Sequence, residues 1–115
     1  IEAVTALALD LGLDGISAAN TTIARPESLH SSRELIEQIG AGGLSGPILR
    51  ERAVEIVKNI RAQAGDRLAI IGVGGIVTEA DVRERIAAGA DLVQGYSAFI
   101  YEGPAWPSRM AKATI

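Results

Sequence analysis

The stretch "IIGVGGIVTEAD", residues 70–81, decides the fold, because an apolar run breaks on three glycines and then resumes as a helical pattern. The run belongs to "RLAIIGV", residues 67–73, which is predicted to be a strand. Thr78 and Asp81 have the spacing of a capping box, although Glu or Gln is its usual last member, and they predict a helix over residues 79–88. The stretch is therefore read as a strand that passes through a glycine turn into a helix.

The same alternation of strands and helices continues on both sides of this stretch. Short, mostly apolar segments predict two more strands, "GISAANT" at residues 15–21 and "DLVQGYSAF", with its exit, at residues 91–99. Apolar strands that alternate with helices indicate a parallel sheet, either an open doubly wound sheet or part of an eight-stranded β/α barrel. The remaining predicted helices are one that ends near residue 11, a short one at 32–39 inside a long polar excursion, a strong one at 49–64, and a last one in "GPAWPSRMAKATI".

Apolar residues at helical spacing identify the face that each long helix is expected to bury. The strongest stripe lies in the helix at 49–64, and weaker stripes lie in the first helix and in the helix at 79–88. In chain order the stripes are Val4, Leu7, Ala8 and Leu11; Leu49, Ala53, Ile56, Val57, Ile60 and Ala64; and Val82 and Ile86.

Composition excludes several classes of function. The 115 residues, 48% hydrophobic and 22% charged, are typical of one globular domain or of part of one, taken as residues 1–115. A net charge of -3 with scattered Lys and Arg argues against a nucleic-acid partner. The absence of cysteine excludes disulfides and thiolate sites, and zinc would depend on His30 alone, which is expected to be a solvated loop residue, so no metal site is predicted.

The glycines of the central stretch do not form a dinucleotide-binding fingerprint. That fingerprint requires glycines at its first, third and sixth positions, whereas Gly72 and Gly74 are followed by Val77 at the sixth. Two interpretations of the turn stay open. Either the backbone N–H groups of Gly74 and Gly75 approach an oxyanion closely, or the turn is tight and binds nothing.

The end of the third predicted strand favours an anion. In "GYSAF", Gly95 and Ser97 again place bare backbone and a hydroxyl where a strand leads into a helix. Barrels of this type often hold phosphates between the loops that follow their last two strands. Two adjacent glycine-bearing strand ends therefore predict a phosphate site. Trp106 and Tyr101 have no basic strip beside them and are predicted to pack rather than to stack on bases.

A polar cluster, "NTT" at residues 20–22, follows the first predicted strand at the same edge of the sheet. Its amide and hydroxyls suit a flat polar ring, because they donate and accept hydrogen bonds without a change of protonation. An Asx or ST turn is the alternative use of the same residues. The sequence leaves both uses open.

Four motifs in a fixed order resemble a known family. They are "NTT" followed by Arg25, then "GGLSGPIL", "IIGVGGI" and "IAAGADLVQGYSAFIYEGP", and they span residues 12–104. In this order they resemble the C-terminal part of a dihydroorotate dehydrogenase, and "LVQGYSAFIYEGP" is closer to the class 2, quinone-dependent enzymes than to the soluble class 1 enzymes. The resemblance implies a TIM (β/α)8 barrel, of which this α/β chain would form the C-terminal portion with about three β/α units.

The resemblance also implies FMN as cofactor and dihydroorotate or orotate as ligand. Members of the family often carry Thr in place of Ala19, so only a backbone contact is expected at that position. The implied sites are Gly74, Gly75, Tyr96 and Ser97 for the FMN phosphate region, Gly46 and the backbone of Ala19 for further flavin contacts, and Asn20 and Thr21 for the substrate ring.

The implied reaction is oxidation of dihydroorotate to orotate in pyrimidine biosynthesis, with FMN as hydride acceptor and a membrane quinone as final acceptor. In the family the catalytic Ser and a Lys near the flavin precede this segment, and Lys58, in mid-helix, cannot replace them. No catalytic residue is therefore predicted in this chain. The alternatives are a class 1 fragment and a phosphate-binding β/α module without redox activity.

The resemblance implies a location and partners as well. The parent protein is expected to be peripheral to a bacterial inner membrane, on its cytoplasmic side, and to receive quinone through its N-terminal part. The chain itself is expected to be a soluble fragment that is inactive alone. Its open sheet edges predict that it self-associates or pairs with the missing half.

Overall fold

The computed structural model describes residues 1–115 and contains one three-stranded sheet and six α-helices. The elements follow the predicted alternation, with two helices after the last strand. In chain order they are α1 (Glu2–Asp10), β1 (Gly15–Ala18), α2 (Arg33–Ile39), α3 (Arg50–Ala64), β2 (Ala69–Val73), α4 (Glu79–Ala87), β3 (Leu92–Gln94), α5 (Ser97–Glu102) and α6 (Trp106–Ala111).

The sheet is parallel, and β2 lies between β1 and β3. Both outer strands are shorter than predicted, since β1 ends at Ala18 and β3 ends at Gln94. The cause is the end of β2 at Val73, after which Gly74 turns the chain with a φ of +100°. Beyond Ala19, whose N–H still donates to O of Val73, and beyond Gln94, the outer strands have no partner on β2, so the polar cluster and Gly95 lie in loops past the strand ends.

Helix α3 covers one face of the sheet and forms the main core with it. All six residues of its predicted stripe are buried, and Val57, Ile60 and the strand residue Ile70 have no exposed surface. The opposite face is not buried, because Ile71 is only half-buried there and its neighbour Leu92 is 60% exposed. Within this chain the helices therefore cover only one side of the sheet.

The first helix buries less than its apolar stripe predicts. Helix α1 packs against α3 and β1 through Thr5 and Ala8, which are buried. Val4, Leu7 and Leu11 of the predicted stripe stay more than half exposed. The stripe marks an apolar face correctly, but only the edge of that face meets another element of this chain.

Helix α4 places an unexpected residue in the core. Val82 is fully buried as predicted, but Ile86 is 36% exposed and its neighbour Arg85 is fully buried instead. Gly72 makes this possible, because a Cβ on Gly72 would lie 2.5 Å from Cγ of Arg85. The predicted inward position of Ile86 was therefore wrong.

The predicted capping box at the start of α4 is confirmed. Thr78 Oγ1 accepts from the N–H of Asp81 at 3.3 Å, and Asp81 Oδ2 accepts from the N–H of Thr78 at 2.7 Å. Trp106 packs as predicted, and its ring occupies the space that a side chain on Gly95 would need. Tyr101 does not pack and is 89% exposed, because the short helix α5 has only Ala98 buried.

Candidate functional site

A cleft of about 740 Å³ opens at the carboxyl end of the parallel sheet, between the loops that follow the three strands. This volume is typical of small-molecule sites. The only charged side chain in its lining belongs to Glu102. The cleft brings together all eight residues that the sequence singled out, namely Ala19, Asn20, Thr21, Gly46, Gly74, Gly75, Tyr96 and Ser97.

Two glycines shape the floor of the cleft. Gly74 has a φ of +100° and Gly75 a φ of +73°, a region that disfavours residues with a side chain. At Gly75 space is lacking as well, because a Cβ would lie 2.5 Å from the backbone N of Arg50. The chain therefore turns directly against the start of α3 and presents bare backbone to the cleft.

This bare backbone carries hydrogen-bond donors that the fold does not use. The N–H groups of Gly74, Gly75, Gly95 and Tyr96 donate to no acceptor within the chain, although all four residues line the cleft. Backbone N–H groups clustered at a turn suit the oxygens of an anion. The geometry therefore fits the predicted phosphate site better than it fits a turn without a ligand.

The polar cluster is divided between a turn and the cleft. Thr22 Oγ1 accepts at 3.1 Å from a backbone N–H two residues further on, which is an ST turn. Asn20 Oδ1 accepts from the N–H of Thr21 at 2.8 Å, which leaves the NH₂ group of Asn20 free to donate. The N–H of Ala19 donates to O of Val73 at 3.1 Å, so its C=O is the backbone group that remains for a ligand.

The long polar excursion between β1 and α3 is held against the cleft by side chains. Arg25 Nη2 donates to O of Gly42 at 2.7 Å, and Ser45 Oγ lies 2.7 Å from Ser97 Oγ. Sequence reasoning missed Ser45, whose only signal was its place in a glycine-rich segment. It noticed Arg25 only as part of a motif, and the structure gives that side chain a role in closing the loop.

Two arginines near the glycine turn were not predicted, and only one of them has a carboxylate partner. Arg50 Nε lies 2.7 Å from Asp81 Oδ1. Arg85 forms no ion pair and donates instead to O of Val73 at 3.3 Å and O of Gly74 at 2.8 Å. Burial lowers the pKa of the Arg85 guanidinium below its ordinary value. An arginine nevertheless stays charged in a protein, so a buried positive charge lies behind the turn.

Asp81 has a structural role at this end of the sheet. Besides the capping bonds, its carboxylate accepts from the N–H of Val77 at 3.0 Å. Burial raises the pKa of Asp81, but the hydrogen bonds from Thr78 and Val77 and the charge of Arg50 outweigh it and hold the pKa below 3.8. Because both carboxylate oxygens are occupied, Asp81 is not available as a general base.

A family model described as dihydroorotate dehydrogenase matches residues 1–114. The chain belongs to the dihydroorotate dehydrogenase family. Curated relatives named "Dihydroorotate dehydrogenase (quinone)" from Pseudarthrobacter chlorophenolicus and Thermobifida fusca are each 54% identical over 110 residues, which is 96% of this chain. The match covers 31% and 29% of those two proteins, so the chain spans about 30% of the length of the curated relatives it matches.

Solved structures of the family match the whole architecture. Crystal structures of DHODH from Eimeria tenella, one in complex with ferulenol and one ligand-free, are each 38% identical to this chain, with TM-scores of 0.87 and 0.86. Each match covers 98% of this chain, and 29% and 30% of the two crystal chains. The predicted family and the predicted portion of a TIM barrel are thereby confirmed, and the relatives' names agree with the quinone-dependent class. None of the helices combines the length and hydropathy needed to span a bilayer.

Proposed function

We propose that this chain supplies the ligand-binding end of a class 2 dihydroorotate dehydrogenase, with residues 1–115 as the C-terminal part of its barrel domain. The parent protein would oxidise dihydroorotate to orotate in pyrimidine biosynthesis, with FMN as hydride acceptor and a membrane quinone as final acceptor. The observation that carries the proposal is the one cleft that collects all eight residues singled out from the sequence. Membership of the family and the names of the relatives support it.

The cleft fits FMN in size and in chemistry. Unused N–H groups at Gly75 and Tyr96 are available to the phosphate oxygens, and the side chain of Ser97 lies beside them. Gly46, with a φ of +94°, has no atom within 4 Å of a Cβ position, so its backbone faces open space in the lining. The C=O of Ala19 is left to accept a hydrogen bond from the flavin ring.

The substrate would be held at the polar cluster. The free NH₂ group of Asn20 donates, and the hydroxyl of Thr21, which donates to Oδ1 of Asn20 at 3.4 Å, can accept, so the pair can recognise a ring that bears carbonyl and N–H groups. Neither side chain changes its protonation near neutral pH. Their role is therefore to orient the ring beside the flavin.

The chemistry is divided between this chain and the rest of the parent protein. When bound, the flavin supplies a two-electron acceptor for the hydride. This chain positions ligands and does not remove the proton, because Asp81 is occupied by hydrogen bonds at one oxygen and by the ion pair with Arg50 at the other, and Lys58 is exposed on α3. By the resemblance to the family, the catalytic Ser and the path for quinone lie outside residues 1–115, and the parent protein binds peripherally to the inner membrane.

The test uses the parent polypeptide, meaning the longest natural polypeptide that contains residues 1–115. We expect it to purify with FMN, identified by absorbance and mass, and to form orotate from dihydroorotate with a ubiquinone analogue. Asn20→Ala is expected to lower kcat/KM about a hundredfold with unchanged FMN content. Asn59→Ala, an exposed asparagine on α3, is the matched control and should leave both unchanged.

Each alternative has its own outcome. A parent polypeptide that prefers a soluble acceptor over quinone would belong to class 1. Binding of inorganic phosphate without flavin and without orotate formation would reject redox function and favour a phosphate-binding module.

The exposed apolar surface supports pairing of this chain with the rest of the barrel. Leu92 on the uncovered sheet face and Leu7 on α1 are both more than half exposed. We expect the chain alone to self-associate in sedimentation experiments and to bind no FMN. Co-expression with the remainder of the parent polypeptide should give a complex that contains flavin. A stable monomer of the isolated chain would contradict this expectation.

A further inference from the structure

Arg85 is a buried charge without a carboxylate partner. Its side chain has no exposed surface, and its stem crosses the strand at Gly72, where a Cβ would lie 2.5 Å from Cγ and 2.8 Å from Cδ. Its Nε has no hydrogen-bond partner. A buried and unpaired charge is destabilising, and an apolar side chain of similar volume would avoid that penalty. The position of Arg85 therefore calls for an explanation beyond packing.

The guanidinium acts on the two peptide groups that form the glycine turn. Nη1 donates to O of Val73 at 3.3 Å, and Nη2 donates to O of Gly74 at 2.8 Å. In a trans peptide the C=O and N–H groups point in opposite directions, and neither peptide is cis. The N–H groups of Gly74 and Gly75 therefore point away from Arg85. These are two of the N–H groups that donate to nothing within the chain.

Arg85 forms no ion pair, although the charges of Glu84 and Asp81 lie near enough to stabilise its charged form. The lining of the cleft contains no cationic side chain and one carboxylate, that of Glu102. Arg50, which also lies near the turn, is paired with Asp81 at 2.7 Å. An anion bound at the unused N–H groups would thus have Arg85 as its unpaired positive charge, on the far side of the same peptide groups.

We propose that Arg85 is a positioning residue that adapts the glycine turn to a phosphate: it orients the N–H groups of Gly74 and Gly75 and supplies positive charge behind them. The inference rests on the proposed function, since the phosphate is taken to be that of FMN. Arg85 touches no ligand in this arrangement and acts through the backbone. It explains why a strand residue, Gly72, lacks a side chain on the helix-covered face of the sheet.

Comparison of FMN with riboflavin, which lacks the phosphate, tests the proposal. Affinities of both ligands for the flavin-free parent polypeptide are measured by fluorescence quenching. Arg85→Met, which keeps the volume and removes the charge, is expected to weaken FMN binding at least about tenfold and to change riboflavin binding less than about threefold. Arg85→Lys, which keeps the charge, should restore most of the preference for FMN.

Arg61→Met is the matched control. Arg61 also donates to backbone carbonyls, those of Gly65, Leu68 and Gly89, but at the amino end of the sheet. We expect this variant to lower stability and to leave the ratio of FMN to riboflavin affinity unchanged.

The outcomes separate the inference from the function on which it rests. If the unsubstituted polypeptide binds FMN no more tightly than riboflavin, the phosphate site fails and the inference fails with it. If it prefers FMN and Arg85→Met keeps that preference, the function stands and the role of Arg85 is rejected. A parallel loss of both ligands in Arg85→Met and Arg85→Lys would likewise reject the role, because it indicates a fold defect alone.

Discussion

The two ends of the three-stranded sheet differ in whether their polar groups have hydrogen-bond partners within the chain. At the amino end, Arg61 donates to O of Gly89 at 2.9 Å and pairs with Asp91 at 2.6 Å, and the carboxylate of Asp91 also accepts from the N–H of Ile70 at 2.7 Å. At the carboxyl end, the N–H groups of Gly75 and its neighbours in the cleft remain unused. Folding alone gives these polar groups at the amino end their partners, whereas the N–H groups at the carboxyl end have no acceptor within the chain.

The two arginines show what this difference means. Arg61 has a carboxylate partner and hydrogen bonds that close the loops before β2 and β3, so its contribution is complete in the folded chain. Arg85 has two carbonyl acceptors, no carboxylate partner and an Nε without a hydrogen-bond partner. Hydrogen-bonding capacity and charge left over by folding are available to a ligand, as expected for the carboxyl end of a β/α barrel.

The largest effect is expected from a side chain in the glycine turn. Gly75→Ala would place a Cβ 2.5 Å from N of Arg50 at a φ of +73°. We expect the parent polypeptide to lose about a hundredfold or more in FMN affinity and about 3 kcal/mol in the free energy of unfolding. FMN titration and urea denaturation measure the two quantities.

Gly65→Ala is the matched change at the amino end. Gly65 has a φ of +57°, but nothing lies within 4 Å of its Cβ position. We therefore expect only the backbone penalty, roughly 1–3 kcal/mol, and an unchanged FMN affinity. An equal loss of FMN affinity in Gly75→Ala and Gly65→Ala would contradict the assignment of ligand binding to the carboxyl end of the sheet.

The second largest effect is expected at Asp81, which anchors the turn to α4. Asp81→Ala leaves the N–H groups of Val77 and Thr78 without their acceptor and Arg50 without its partner, so we expect a loss of about 3 kcal/mol in unfolding free energy. Ser32→Ala removes an exposed cap of α2 and should lose about 1 kcal/mol at most.

The dependence on pH identifies the carboxylate as the cause. The folded-state pKa of Asp81 lies below its ordinary value of 3.8, so the stabilisation is present in full above that value and is lost as the pH falls through the folded-state pKa. The stability difference between the unsubstituted protein and Asp81→Ala should therefore shrink in acid. A stability difference that stays constant into strong acid would show that packing causes it, and not the charge of Asp81.

The buried face of the longest helix and the local capping contacts were predictable from the sequence. The predicted stripe from Leu49 to Ala64 is buried because the sheet covers most of it and α1 packs against its last turn. The capping box of Thr78 and Asp81 is confirmed because it involves neighbours in the chain. The burial of Arg85 in place of Ile86 was not predictable, since the space comes from Gly72 on another element.

The sequence predicted which residues line the cleft but not the contacts that these residues make with one another. Glycine spacing and the family motifs named residues that the structure brings into one cleft, but their assignment to FMN and substrate remains a prediction. The contact between Ser45 and Ser97 joins residues far apart in the chain and left no periodic signal. The exposure of Tyr101 depends on how little α5 packs, which aromatic composition does not reveal.

A smaller effect on stability is expected at Asp91, at the amino end of the sheet. Hydrogen bonds from Ile70 and Arg61 lower the pKa of Asp91, but half of its side chain is exposed, so solvent screens the pair. Asp91→Ala should lower the free energy of unfolding by about 1 kcal/mol, and Asp91→Asn should lower it by about half of that, because the Asn side chain still accepts from the N–H of Ile70. Added salt should narrow the difference between the unsubstituted protein and Asp91→Asn. A change in FMN affinity in either variant would contradict the assignment of this end to stability.

The smallest effect is expected from Ser97→Ala, at the ligand-binding end. The variant removes the 2.7 Å contact with Ser45 but keeps the backbone N–H at the start of α5. Because the contact is exposed, we expect a loss of about 0.5 kcal/mol in stability and a change in FMN affinity below about threefold, with the same values for Ser45→Ala. A loss in Ser97→Ala as large as in Gly75→Ala would show that the hydroxyl binds the phosphate. The unused backbone N–H groups would then not be what distinguishes this end of the sheet from the other.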